Sequence, residues 1–350
     1  MQEMTENRFS ALELNLDNLA TFTREQIFIP TVKDLYSEFT GNGIEQTLVK
    51  ILNQIPTKHQ PPILHTLTTH VTKEKPVFIY GIGESVDIDK AKFIAASTDL
   101  LWCLSLMVDD IIDEDNHRAG KKTAWSIYGQ QETYTSASVA LRTLQDLTTE
   151  ILSPTTTQLL IETVNDSLKS LEDPVVKNLD SDIGDILHNI DRRARFHCEY
   201  PVKALFVGNK KEEIISIATD SLFCVNKAGQ ILNDAKDLIP SQFYGRELFT
   251  DIRSGTTTVP LILLQEVLTI KERQTLRECF NCSSLTVEQI TWLYSFVKAK
   301  LPRQRIYTLV LDNYGQFLEG MREIVTPKYF VLCQEWVKYK IGQANTLLLN

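Results

Sequence analysis

The sequence predicts an all-α protein built as a single large helical bundle, and three observations favour this class. Apolar residues recur at spacings of three and four along most of the chain, which is the period of a helix. Glycine and proline number only 14 and 12 in 350 residues, which favours long helices over a turn-rich β fold. No apolar–polar alternation of useful length for a strand is present. We therefore expect helices separated by short breaks at proline and glycine.

The helices follow in order from that periodicity. Residues 1–40 are predicted to form an N-terminal extension, and residues 41–350 one helical domain. The first clear helix covers 44–54, and the next begins near Asp87, a residue type that caps helix N-termini. The middle of this second helix is apolar on all sides, which is typical of a helix surrounded by others. Further helices are predicted over 134–152, 155–171, 179–197, 211–238, 258–269, 285–299, 303–324 and 327–347.

Composition excludes several kinds of partner and location. The formal net charge of −9 argues against nucleic acid as the main ligand, because binding a phosphate backbone needs a basic surface. The six cysteines are scattered, so no disulfide framework is expected in a chain of this length. Neither a signal peptide nor an apolar run of about 18 residues is found, so no membrane span is predicted. We therefore expect a cytoplasmic protein.

A first acidic cluster ends the long apolar helix. Residues 107–115 read MVDDIIDED, with five acids within seven positions. On a helix Asp109 and Asp113 are one turn apart, and Asp110 is three residues from Asp113, so the three carboxylates can face one point. Oxygen-only ligands at this spacing suit Mg²⁺, which commonly joins a few carboxylates to phosphate oxygens. The alternative, a solvated acidic helix end, stays open.

A second cluster lies on another apolar helix. Residues 229–238 read GQILNDAKDL, so Asn233, Asp234 and Asp237 repeat the spacing of two adjacent oxygen ligands and a third one turn later. Two such clusters on separate helices can face each other across a cavity, with a diphosphate bridged between them by metal ions. Basic residues would then surround the anion, although each is individually more often a solvated surface charge. The candidates are Arg118, Lys121, Lys122, Lys203 and Arg246.

Together, these stretches resemble the trans-isoprenyl diphosphate synthases of the polyprenyl synthetase family, over roughly residues 70–265. DDIIDEDNHRAGKKT resembles the first aspartate-rich motif of the family and its following loop, and GQILNDAKDL resembles the second motif. DIRSGTTTVPLILL resembles the segment after that motif, and YPVKALF the Lys-Thr segment. The resemblance implies an isoprenoid synthase-like bundle around a deep apolar cavity, usually a homodimer. Such enzymes ionise an allylic prenyl diphosphate with Mg²⁺ and pass the cation to a nucleophile.

The resemblance also implies a cofactor and its ligands. Mg²⁺, expected as three ions, would be held by the two clusters, whose members are Asp109, Asp110, Asp113, Asn233, Asp234 and Asp237. Arg118, Lys203 and Arg246 would bind the allylic diphosphate, and Gln230, which precedes the second cluster, would be a further substrate-binding residue. Catalysis would be carried by Asp109, Asp110, Arg118 and Lys203.

The departures from the family pattern concern the second substrate. The family binds isopentenyl diphosphate through a GGKRxRP segment and a His seven residues before the first motif, and here these positions hold HVTKEKP (residues 70–76) and Trp102. Other changed positions are Ala119, Ala204 and Thr256. Lys73 and Lys75 keep positive charge in the altered segment and are candidate substrate ligands. Trp102 is either a cavity wall whose ring can stabilise a carbocation or a plain core residue.

Three functions therefore remain open. The first is Mg²⁺-dependent ionisation of a prenyl diphosphate without isopentenyl diphosphate, followed by cyclisation, as in class I terpene synthases, or by transfer to another acceptor. The second is a chain-elongating synthase with a remodelled second site. The third is a non-catalytic partner subunit of a prenyl synthase, against which the intact DDIID argues.

Overall fold

The computed structural model describes residues 30–69, 73–118, 120–209, 211–239 and 248–349, and most of them are helical. The predicted all-α class is confirmed. The chain divides into two compact units, the first formed by Met1–Tyr80 with Ile88–Leu152 and the second by Gly81–Asp87 with Ser153–Asn350.

The first unit is built around one long helix. Its helices are α1 Pro30–Gly41, α2 Ile44–Leu52, α3 Gln60–Thr69, the start of α4 Glu74–Gly83, α5 Ile88–Ile112, α6 Ala124–Tyr128 and α7 Gln130–Ile151, with a 3-10 turn at Thr57–His59. Helices α2, α3 and α7 all pack against α5. Leu35 and Phe39 of α1 are buried in this unit, whereas residues 1–29 of the predicted extension lie outside the described residues.

Helix α5 is apolar because it is a core helix. Among the described residues, one helix, α5, is long and apolar enough to cross a membrane by length and composition. However, 78% of its most apolar stretch is buried inside the protein. Its middle positions, from Ala91 to Met107, are largely buried on every side, as the sequence predicts. After α5 a short antiparallel hairpin pairs His117–Arg118 (β1) with Lys121–Lys122 (β2).

The second unit contains the remaining helices. They are α8 Pro154–Leu171, α9 Ile183–Phe206, α10 Glu212–Leu238, α11 Thr250–Ser254, α12 Val259–Glu266, α13 Ile270–Cys279, α14 Val287–Lys300, α15 Arg303–Ile324 and α16 Pro327–Leu348, with a 3-10 turn at Pro174–Lys177. Helix α10 packs against both α9 and α15, α9 packs against α8, and α15 against α16.

Local signals fix several helix starts. Ser153 caps α8 ahead of Pro154, and capping boxes open α13 at Thr269 and α14 at Thr286. Helix α9 differs from its prediction, because Asp182 caps its start by accepting from the Gly184 amide, and it continues to Phe206 instead of ending near residue 197. Pro201 lies inside this longer helix.

Candidate active site

The first acidic cluster lies at the C-terminal end of α5, in the first unit. Asp110 is 2% exposed, Asp109 is half-buried and Asp113 is exposed, so the cluster leads from the core to the surface. The Asp113 amide donates to the Asp109 carbonyl at 2.8 Å, which keeps these two residues one helical turn apart. The backbone of these residues therefore has the spacing of one helical turn, and the meeting of their carboxylates stays a prediction.

Arg118, from the hairpin, holds the buried carboxylate. Its Nε and Nη2 donate to Asp110 Oδ1 at 3.0 and 2.6 Å. Burial raises the pKa of Asp110 above its ordinary value, while the positive charge of Arg118 opposes that rise. In this arrangement Arg118 is thus the counter-ion of Asp110.

Three contacts fix the segment that carries Arg118. The Asp115 carbonyl accepts from Trp125 Nε1 and from Thr123 Oγ1, each at 2.8 Å. On the other strand of the hairpin, His65 Nε2 lies 2.6 Å from the Lys122 carbonyl oxygen. The side chains of Lys121 and Lys122 are exposed. These contacts hold the hairpin through its backbone carbonyl groups and do not involve its basic side chains.

The second cluster lies near the end of α10, in the second unit. Asp234 and Asp237 are 6% and 5% exposed, and Asn233 is half-buried. Gln230 Nε2 donates to Asp234 Oδ1 at 2.6 Å, one turn away. Asp237 accepts from the Thr250 amide at 2.8 Å, from the Asp251 amide at 3.2 Å and from the Thr250 hydroxyl. Asp237 therefore anchors the start of α11, a contact that the sequence did not predict.

The carboxylate and amide oxygens of the two clusters are of the type that binds a hard cation, but several of them are hydrogen-bonded to other side chains. Within the described ranges, no group of three or more His, Cys, Asp or Glu side chains is arranged to hold a metal ion. Asp110 is paired with Arg118, and Asp234 with Gln230. Mg²⁺ prefers carboxylate and carbonyl oxygens together with water and phosphate. Coordination through Asp110 Oδ1 would therefore require Arg118 to move away. The facing of the two clusters stays a prediction.

The two lysines of the altered segment are both engaged with α5. Lys73 Nζ lies 2.7 Å from Asp99 Oδ2, in a pair whose side chains are 6% and 0% exposed. Burial raises the pKa of Asp99, while Lys73 opposes the rise. Lys75 Nζ lies 2.9 Å from the centroid of the Trp102 ring, a close cation–π contact. The motif positions that the resemblance picked out, 75 and 102, thus meet in space.

Lys203 sits near the end of α9 in an ion-pair network. Its Nζ lies 2.5 Å from Glu199 Oε1, and Glu199 also accepts from Arg195 one turn earlier. Burial by itself raises the pKa of the Glu199 carboxyl, but Arg195 and Lys203 together hold that pKa below its ordinary range. The Lys203 side chain is 45% exposed.

The structure does not bring Lys203 level with the second cluster. Helices α9 and α10 run antiparallel, and their register is set by Lys227 Nζ at 3.2 Å from Asp191 and by Cys198 Sγ at 3.4 Å from the Leu222 carbonyl. At about 1.5 Å per residue, Lys203 lies about 20 Å along the helix pair from Gln230. Arg246, Ala119 and residues 70–72 lie outside the described residues.

Sequence reasoning missed one residue of α9. Arg193 is half-buried, and among the described residues it makes no hydrogen bond or ion pair. A signal was present in the sequence, because Arg193 interrupts a run of apolar or aromatic positions spaced by three and four. That spacing places it on a face of α9 that is otherwise buried.

The helical fold carries oxygen-rich clusters at the ends of two helices, and Arg118 lies beside the first of them. The family model for polyprenyl synthetase matches residues 44–297. Because that match covers most of the chain, the protein belongs to the polyprenyl synthetase family, as the resemblance of its motifs predicted. This membership supports prenyltransferase activity.

Relatives and solved structures agree with this family. The chain is 26% identical over 249 residues to "Prenyl transferase nodC" of Hypoxylon pulicicidum, covering 69% of this chain and 72% of that protein. It is 22% identical to "Heptaprenyl diphosphate synthase component 2" of Bacillus subtilis, over 57% of this chain and 59% of that protein.

Solved structures establish the fold independently. A polyprenyl synthase from Caulobacter crescentus, solved with calcium and isoprenyl diphosphate, matches with a TM-score of 0.75 at 14% identity, over 89% of this chain and 96% of that one. The geranylgeranyl pyrophosphate synthetase of Pyrococcus horikoshii matches with a TM-score of 0.70 at 20% identity, over 87% and 98%. At these identities the likeness shows the isoprenoid synthase-like fold.

Proposed function

We propose that this protein ionises an allylic prenyl diphosphate with Mg²⁺ and delivers the prenyl cation to an acceptor other than isopentenyl diphosphate, or to the chain itself in a cyclisation. The observation that carries this proposal is the contact between Lys75 and the Trp102 ring. These two residues occupy the positions at which the resemblance expects an Arg and a His for the second diphosphate.

That contact leaves little positive charge for a second diphosphate. The Lys75 ammonium is seated over the Trp102 ring, and the Lys73 ammonium is buried against Asp99. Binding a diphosphate with either lysine would mean giving up an existing partner. Since a hydrogen bond to a charged group contributes about 1.5–3 kcal/mol, losing several such contacts weakens a subsite strongly.

The donor half of the reaction is supported by different residues. Mg²⁺ bound to Asp109, Asp110 and Asp113, and to Asn233, Asp234 and Asp237, would neutralise the charge of the departing diphosphate. Arg118, now bound to Asp110, would exchange that carboxylate for a phosphate oxygen. The buried apolar face of α5 below the first cluster would shield the cation from water.

Chain elongation is the second candidate function, because some of the similar proteins are named as synthases of longer prenyl diphosphates. The Bacillus subtilis relative is named as a component of heptaprenyl diphosphate synthase, and the Pyrococcus structure is named as a geranylgeranyl pyrophosphate synthetase. For this chain to elongate, Lys75 would have to leave the Trp102 ring to bind the second diphosphate.

One experiment separates these functions. The protein is incubated with Mg²⁺ and geranyl, farnesyl or geranylgeranyl diphosphate, with and without isopentenyl diphosphate, and released pyrophosphate and products are measured. Pyrophosphate with alcohols or hydrocarbons in the absence of isopentenyl diphosphate supports the proposal. Longer diphosphates formed only in its presence establish elongation, and binding without turnover favours a non-catalytic subunit. Asp110→Ala should abolish pyrophosphate release, whereas Asp146→Ala, at an exposed position on α7, should not.

A further inference from the structure

Two of the cysteines lie in one tight turn, the CFNC turn, which is formed by residues 279–282. Cys279 is the last residue of α13, and Cys282 follows three residues later. Between them Phe280 has φ −74° and ψ 134°, and Asn281 has φ 60°. These are the angles of the two central residues of a type II turn, which brings the Cα atoms of its first and last residues within about 7 Å. Asn is one of the residues that accept the positive φ of this turn.

The geometry of the CFNC turn is suitable for a disulfide bond. Disulfides join cysteines whose Cα atoms are about 4.4–6.8 Å apart, so closing this bond requires little rearrangement of the backbone. Both thiols are free in the structure. Burial, and after it the nearby Cys282, raise the pKa of the Cys279 thiol, so the two sulfur atoms are close enough to interact.

The two thiols differ in their access to solvent. Cys282 is half-buried, and its thiol donates to the Ser284 carbonyl at 3.2 Å near the surface. Cys279 is 0% exposed, and the remaining four cysteines are also buried. Since a thiol has to be reached before it can exchange, Cys282 is the cysteine that a reagent in solution meets first.

The CFNC turn also contacts α11, the short helix that follows the second cluster. The Asn281 amide donates to the Ile252 carbonyl at 2.8 Å. A Cβ atom added at Gly255, whose φ is +67°, would lie 2.7 Å from the Asn281 Cβ, so the two segments pack together without space for another side chain. The start of α11 is held by Asp237 through the Thr250 amide. The CFNC turn therefore holds the middle and the end of α11, while the second cluster holds its start.

We propose that the CFNC turn is an oxidation site, at which Cys279 and Cys282 form a reversible disulfide by exchange with a small-molecule disulfide, and that this bond tightens the contact between the turn and α11. Disulfides of cytosolic proteins are usually transient and catalytic or redox-sensing. The proposal does not depend on which prenyl donor or acceptor the protein uses.

The exchange needs no reagent besides the external disulfide. The Cys282 thiolate attacks one sulfur of that disulfide, its S–S bond breaks, and one half leaves as a thiolate that takes up a proton. Cys279 then loses its proton, and its sulfur attacks the Cys282 sulfur, which forms the protein disulfide and releases the second half as a thiol. Two protein thiols are thereby oxidised, and one external disulfide is reduced to two thiols.

Oxidised glutathione is the probe that tests the site. The full chain is incubated with it at about pH 8, where an exposed thiol is partly ionised, and free thiols are then alkylated before intact-mass measurement and peptide mapping. The parent chain should form one Cys279–Cys282 disulfide that dithiothreitol removes. Cys279→Ser should stop at a mixed disulfide on Cys282, and Cys282→Ser should take up no glutathione. Cys224→Ser, at a buried position on α10 where the thiol donates to Gln316, should behave as the parent does.

Amide hydrogen exchange on the same polypeptide tests the link to α11. Residues 249–257 should exchange more slowly in the oxidised parent than in the dithiothreitol-reduced parent, on the order of tenfold, because closing even a short loop disfavours the opened state. A peptide from α16, which packs against α15, is the control and should exchange equally in both forms.

Each outcome supports or overturns one part of the proposal. If no thiol of the folded parent reacts, or if glutathione adds to Cys282 and no Cys279–Cys282 disulfide follows, the oxidation site is overturned. If the disulfide forms and residues 249–257 exchange at the same rate or faster, the link to α11 is overturned. Because the exchange comparison uses two redox forms of one chain, it does not depend on the folding of any variant.

Discussion

At the scale of single residues, Arg118 and a metal ion would compete for the Asp110 carboxylate of the first cluster. Asp110 is almost fully buried, and a buried carboxylate needs a positive partner to stay ionised. Arg118 provides that partner in the arrangement described here. A divalent ion would take its place, and Arg118 would then be available to a phosphate group.

This exchange predicts effects of opposite sign for one substitution. Arg118→Gln should tighten the binding of Mn²⁺, used as a probe for Mg²⁺, by roughly tenfold without substrate, because the metal no longer displaces a charged partner. The same variant should bind pyrophosphate more weakly in the presence of metal. Electron paramagnetic resonance of free Mn²⁺ measures the first effect and calorimetry the second. Weaker Mn²⁺ binding by Arg118→Gln would contradict the exchange.

The residue-level predictions from sequence were strongest where spacing alone set the geometry. The backbone separation of Asp109, Asp110 and Asp113 follows from one helical turn, and the hydrogen bond from the Asp113 amide to the Asp109 carbonyl shows that turn. What each acid contacts could not be predicted, because Arg118 reaches Asp110 through a hairpin and Thr250 reaches Asp237 from another helix. The level of Lys203 depends on the register of α9 against α10, which no local pattern encodes.

At the scale of elements, capping boxes determine where α13 and α14 begin. Helix α13 starts with Thr269, whose hydroxyl accepts from the Glu272 amide while the Glu272 carboxylate accepts from Thr269. Lys300 of α14 also donates to Glu272 at 2.7 Å. A single carboxylate therefore connects the start of one helix to the end of the next.

This connection predicts an acid-sensitive contribution to stability. The hydrogen bond from Lys300, then those of Thr269, lower the pKa of Glu272 to about 2. Because the folded-state pKa is depressed, the contribution is fully present above the ordinary value and is lost as the pH falls toward 2. Urea unfolding of Glu272→Gln at pH 5 and at pH 2.5 should therefore show a smaller pH dependence than the parent chain, whereas Glu278→Gln should not.

Long helices were predicted well because their apolar faces repeat over many turns. The short ones were missed for definite reasons. Helix α3 opens with two prolines, and α4 contains two glycines and no single apolar face, so neither shows a clear amphipathic pattern. Helix α11 has five residues and depends on Asp237 to cap it. The extension of α9 past Pro201 was missed because proline normally ends a helix.

At the scale of the whole molecule, the family resemblance predicts a homodimer. Size-exclusion chromatography with light scattering should give a mass near twice 39.9 kDa, that is about 80 kDa. The dimer should persist at high salt if its interface is mainly apolar, since salt screens charge pairs but not apolar contacts. A single species at 39.9 kDa across micromolar concentrations would contradict this prediction.

The two lysines at the start of α4 have a consequence for how readily the acceptor could change. Lys73 forms an ion pair with Asp99, and Lys75 makes a cation–π contact with Trp102. The two lysines are two residues apart, and their partners are three residues apart on α5. Replacing Trp102 with histidine would release Lys75 but leave Lys73 buried against Asp99, and it would not bring back the glycines before them. Building an isopentenyl diphosphate subsite at these positions would thus need several coordinated substitutions, each of which alone removes a partner without creating a working subsite.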